Sequence, residues 1–115
     1  MSDIQELTDL ILKFRKERDW KKFHNLKDMS LSLVLEAAEV MEHFQWKSKN
    51  EIDKYIKTHK QKISEELSDV LYWIFLMSYD LKIDIKQEFI RKMKITERKY
   101  PVSRAKGNNK KYTEL

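Results

Sequence analysis

Glu36 and Glu39 lie three residues apart in LVLEAAEVMEHFQW (33–46), with Glu42 three further on, so the three climb one side of a helix. Their neighbours are leucine, valine, alanine and methionine, which predicts that at least two of the three are partly buried. Glu66 and Asp69 repeat the i, i+3 pattern beside Leu67, Val70 and Leu71. If the two helices pack antiparallel, four carboxylates converge, and bare anions in so apolar a setting are costly. A hard divalent cation removes that cost. Mg²⁺, with Mn²⁺ as a substitute, prefers octahedral oxygen coordination and retains waters that exchange for phosphate oxygens. Glu36, Glu39, Glu66 and Asp69 are therefore the candidate metal ligands. A di-iron centre would need Glu-x-x-His pairs on two helices. His43 lies four residues after Glu39 and one after Glu42, and His59 has no Glu three before it, so the spacing excludes that chemistry. The competing use of such pairs is a solvated face or intrahelical salt bridges. Their occurrence twice, in the most apolar segments, favours the ion.

Three indoles, Trp20, Trp46 and Trp73, offer faces on which a nucleobase can stack. Each alone also fits a packed core. Trp20 sits in the polar break RDWKKFH, where a core role is harder to argue. Lys92, Arg98 and Lys99, near the end of the last long helix, are candidate phosphate contacts.

Four helical segments must position these groups. Ile4, Leu7, Leu10, Ile11 and Phe14 form one apolar stripe on a helix over 3–18. After the break at 19–27, a second helix starts near Asp28 or Ser30 and runs to about Trp46. Asn50 can cap a third, which reaches Tyr79 and is long enough that a break near Thr58 or His59 is expected. Asp84 with Gln87 forms a capping-box-like pair opening a fourth helix, which turns Ile85, Phe89, Ile90 and Met93 toward the core and ends at Tyr100, before Pro101. This divides the chain into an all-α domain, 1–100, and a basic, extended or partly ordered tail, 101–115.

Composition agrees. One Gly and one Pro in 115 residues leave little room for hairpins or phosphate-binding glycine loops. With no cysteine, disulfides and thiolate metal sites are excluded. The longest apolar run, Val70 to Met77, is far below the roughly 18 residues of a membrane span. The start of the chain lacks a signal-peptide h-region, and a cytoplasmic location is expected. The formal charge of +5 is spread over the helices rather than gathered in a stripe, which argues against nucleic acid and suits a small phosphorylated ligand. Residues 67–81, LSDVLYWIFLMSYDL, are apolar around nearly the whole helix, so a second copy is expected to cover them, as a C2 dimer or a dimer of dimers.

EAAE (36–39), followed about thirty residues on by EELSD (65–69), resembles the paired-carboxylate signature of MazG-like all-α nucleoside triphosphate pyrophosphohydrolases. ERDWKKFH (17–24), HFQW (43–46), EELSDVL (65–71), the Lys92–Met93 pair, RKYP (98–101) and KYTEL (111–115) are similar to the dCTP pyrophosphatase-like branch, and the similarity spans essentially the whole chain. The resemblance implies a four-helix-type bundle that assembles as a homotetramer. It implies Mg²⁺-dependent conversion of a (deoxy)nucleoside triphosphate, dCTP or a modified dCTP among them, to the monophosphate and pyrophosphate. It further implies that Glu36, Glu39, Glu66 and Asp69 hold the metal, that Trp20, Trp46 and Trp73 line the base pocket, and that Lys92, Tyr100, Lys111 and Tyr112 approach the phosphates. The chain departs from relatives at Thr96, where Asn is common, and from animal members of the branch at Ile11 (His there) and Trp73 (Tyr there).

In the expected reaction a water attacks phosphorus in line, with Glu42 or a ligand carboxylate as general base. Two other readings of the residues are a non-enzymatic oligomerisation module, whose melting would not respond to divalent ions, and a basic nucleic-acid-binding bundle.

Overall fold

Local signals start and stop each helix in the computed structural model, which describes residues 2–115 and is all-α. The main helices are α1 (Asp3–Glu17), α2 (Leu26–Glu42), α3 (Lys49–Asp80) and α4 (Ile85–Lys99), followed by the one-turn α5 (Val102–Ala105). Ser2 caps α1 through Gln5 N–H, and Asp3 and Glu6 at its start with Arg15 and Lys16 at its end complement the helix dipole. The stop is a Schellman turn. Trp20 N–H bonds to Arg15 C=O and Asp19 N–H to Lys16 C=O, with Asp19 at φ 54° in the left-handed position. A 3-10 turn (Lys21–Phe23) then leads to Asn25, which caps α2 by accepting from Asp28 N–H at 2.9 Å.

The expected starts at Asp28 or Ser30 and at Asn50 are thus displaced by a few residues. Ser48 caps α3, in a reciprocal capping box with Glu51. The second helix also stops short of Trp46: residues 43–48 make the turn, and Trp46 takes φ 68°. So brief a connection folds α3 back along α2, and these two helices make the most extensive packing in the chain. The expected break near Thr58 or His59 does not occur. α3 runs unbroken for 32 residues, and the Thr58 hydroxyl bonds back to the Tyr55 carbonyl without interrupting it.

The chain divides into two compact units, one ending at Lys82 and one spanning Ile83–Leu115. In the first, α1 and α2 both pack on α3. Its apolar centre is thin: Met29 is 1% exposed and Leu76 0%, while Leu10, Val34 and Leu35 are each more than 60% exposed. The stripe predicted on α1 exists but is only partly covered. In the second unit Asp84 caps α4 through Gln87 N–H, and Tyr112, on a 3-10 turn of the tail, meets Tyr100 edge-on at 6.0 Å with Lys99 over its ring. Phe89, Ile90 and Met93, predicted to face a core, are exposed, because a single amphipathic helix with a short tail has too little apolar surface to cover them. No helix among the described residues is long and apolar enough to cross a membrane.

Arg15 and Asp80 lock the ends of α1 and α3 together through two hydrogen bonds of 2.8 and 2.9 Å, with the Arg15 side chain only 4% exposed. Asp80→Ala strands that guanidinium and is expected to cost ~3 kcal/mol in urea unfolding, whereas Arg15→Met with Asp80→Leu recovers most of the loss.

Candidate functional site

The antiparallel α2–α3 pair brings three of the four expected ligands together. One oxygen each of Glu36, Glu39 and Asp69 lie within 4.8 Å of one another. Glu36, on the inner face, is half-buried, with Oε2 shielded from solvent and lacking any hydrogen-bond partner. Glu39 and Glu42 are exposed, so only one of the three helix-face glutamates is partly buried rather than the predicted two. The reason is geometric: α3 is the chief neighbour of α2, and one neighbouring helix covers less than the full glutamate face. Glu42 stands one turn beyond Glu39, outside the cluster. Glu66 takes a different partner, the imidazole Nε2 of His43, and its charge still acts on Glu36 and Asp69.

Crowding shows in the titration of two members. Burial, then Glu39 and Asp69, hold the Glu36 carboxyl above the ordinary glutamate range. Burial, then Glu39 and Glu66, do the same to Asp69. An uncompensated cluster with an orphaned buried oxygen fits a hard cation: all its donors are carboxylate oxygens, the set Mg²⁺ and Mn²⁺ prefer.

Beside the cluster opens a cleft of about 270 Å³ lined by Glu36, Asp69, Phe14, Trp20, His24, Tyr72 and Trp73. Its aromatic wall is built edge to face: Trp20 on Phe14 (5.6 Å), Phe14 on Tyr72 (6.3 Å), Tyr72 on Trp73 (5.0 Å) and Trp73 on His24 (5.5 Å). Helical spacing puts Tyr72 and Trp73 on the face of Asp69, at i+3 and i+4. The Schellman turn delivers Trp20, since the residue after the left-handed position commonly packs back on the last helical turn, here on Phe14. The His24 Nδ1 is buried without a partner, and burial, then Arg15, lowers the pKa of this imidazole. Phe14, His24 and Tyr72 were not expected at the site. The first and last were hidden in core-like apolar runs, though the i+3 relation of Tyr72 to Asp69 was a usable signal.

Trp46 stands apart, 91% exposed in the α2–α3 turn, and does not line the cleft. Lys92, Tyr100, Lys111 and Tyr112 all belong to the second unit. There Lys92 and Lys111 are exposed, and the two tyrosines pack on each other.

The MazG-like family model matches residues 31–115. The chain is 34% identical to dCTP pyrophosphatase 1 of Homo sapiens and 36% to that of Mus musculus, each over 114 residues that cover 97% of this chain and 67% of the relative. A crystal structure of a pyrophosphatase from Archaeoglobus fulgidus superimposes with a TM-score of 0.82 at 34% identity, covering 88% of this chain and 94% of that one.

Raised carboxyl pKa values carry a sign. The unfolded chain ionises Glu36 and Asp69 near the ordinary values of 4.5 and 3.8, while the cation-free fold keeps their protons to higher pH. The stability they contribute is complete below those values and is lost as pH rises through the raised ones. In EDTA, urea midpoints are expected to fall from about pH 4 to about pH 7 more steeply in the natural protein than in the Glu36→Gln, Asp69→Asn double variant.

Proposed function

This chain belongs to the MazG-like family, and from that premise we propose that it is a Mg²⁺-dependent nucleoside triphosphate pyrophosphohydrolase, acting on dCTP or a modified dCTP and releasing the monophosphate and pyrophosphate. One observation supports this most: two carboxylates of a cation-ready cluster and two indoles line the same cleft. A triphosphate has the matching form, a flat base at one end and chelating oxyanions at the other.

Glu36, Glu39 and Asp69, joined by Glu66, would hold Mg²⁺. When bound, the ion neutralises phosphate charge and activates water for attack on phosphorus. The chain's own groups do the rest. Trp20 and Trp73 grip the base by stacking, each held at a fixed angle by an edge-on aromatic neighbour. Trp46, in the exposed turn, serves the same purpose from a second copy. Lys92 and Lys111, with the hydroxyls of Tyr100 and Tyr112, supply phosphate-binding groups from a neighbouring subunit. A carboxylate, Glu42 or one of the ligands, takes the proton of the attacking water; the phosphoanhydride bond between the α and β phosphorus breaks, a P–O bond forms to the water oxygen, and the products are the monophosphate and pyrophosphate.

Assembly belongs to the same proposal. Leu10, Val34, Leu35, Leu67 and Leu71 are exposed in the first unit and Phe89 in the second, and a homotetramer would cover such surfaces. Light scattering should return a multiple of the 14.1 kDa chain mass, fourfold for the tetramer.

Pyrophosphate release from a panel of canonical and modified dNTPs, with and without Mg²⁺, tests the reading. Activity should require the ion and be abolished by Glu39→Gln at unchanged helicity. Trp20→Ala is expected to raise KM by roughly 5- to 150-fold, reflecting ~1–3 kcal/mol of stacking per base. Ion-independent turnover, or a Glu39→Gln enzyme of near-normal rate, refutes the assignment.

A further inference from the structure

His43 opens the HFQW stretch yet does not line the cleft. Its imidazole is only 10% exposed and joins two residues of α3 that lie eleven positions, or roughly 16 Å of helix, apart. Nε2 pairs with Glu66 Oε2, and Nδ1 pairs with the Tyr55 hydroxyl. A neutral imidazole protonated on Nε2 satisfies both bonds, donating to the carboxylate and accepting from the phenol. Tyr55 is itself fixed on both faces. His59 stacks on its ring at 3.9 Å with an interplanar angle of 3°, and Lys47 Nζ lies 4.3 Å from the ring centre.

Glu66 needs such a support. It is the fourth carboxylate of the pattern, yet it is absent from the converging group of Glu36, Glu39 and Asp69, and a glutamate has three side-chain torsions to order. Holding one oxygen on His43 limits those torsions and leaves the other oxygen for an ion. Metal sites commonly orient their carboxylate and imidazole ligands through such outer hydrogen bonds.

We propose that His43, backed by Tyr55, is a positioning residue that holds Glu66 for the cation, an inference that rests on the ion-binding reading above. The test is Mn²⁺ alone, without nucleotide, titrated into the full chain while the electron paramagnetic resonance signal of free Mn²⁺ is followed. His43→Ala should weaken binding by roughly 10- to 100-fold, the usual effect of losing an outer support. His43→Gln, whose amide N–H reaches toward the Nε2 position, should recover most of that affinity. Tyr55→Phe keeps the stacked ring and removes only the hydroxyl, so it should weaken binding by a smaller factor, and it carries the test if His43→Ala fails to fold. Melting in EDTA separates folding from binding. Wild-type affinity in Tyr55→Phe, and in His43→Ala where that variant folds, overturns the proposal, as does a His43→Gln variant no better than a folded His43→Ala. A natural protein that takes up no Mn²⁺ overturns the ion-binding reading itself, and this support with it.

Discussion

Repulsion among carboxylates held on the facing sides of one helical hairpin is the constraint around which the first unit is organised. Residues 43–48 leave α3 no course but back along α2, and the i, i+3 spacing on each helix turns Glu36, Glu39 and Asp69 toward a common point. A fold selected only for stability would place lysine or leucine at one of these positions. The Glu36 oxygen left without a donor marks a local sacrifice of stability, of the kind proteins concentrate where they bind something.

Offsetting that sacrifice falls to features outside the cluster. The buried Arg15–Asp80 pair ties α1 to α3, capping interactions at Ser2, Asn25 and Ser48 begin each helix, and the edge-to-face aromatics stiffen the wall next to the acids. Apolar burial contributes little within a single chain, where Met29 and Leu76 are the core. That thinness agrees with the oligomeric reading, in which much of the apolar area is covered only on assembly.

The helices and the acidic pairs were legible in the sequence because both depend on periodicity, which the residue order states directly. The caps were less so: Asp28, Ser30 and Asn50 are as competent as Asn25 and Ser48, and what decides among them is how much chain the two turns consume. Trp20 could be suspected from its polar surroundings, but its seat on Phe14 depends on Asp19 adopting a left-handed backbone, a choice that glycine would have advertised and aspartate does not. The periodicity of α1 and α4 was readable, whereas the partner of each stripe was not, since periodicity reports a face and not what meets it. The link from Tyr55 through His43 to Glu66 was hidden for another reason, as it joins residues whose separation along α3 suggests no contact at all.

The unbroken course of α3 has an evolutionary corollary. Tyr55, Glu66, Asp69, Trp73 and Asp80 sit on one continuous rod, each at an azimuth set by counting residues at about 100° apiece. Inserting or deleting a single amino acid anywhere between them would swing every group beyond that point around the axis, uncoupling acids, indole and clamp at once. Descendants of this chain can therefore drift by substitution within the rod, and must change length outside it.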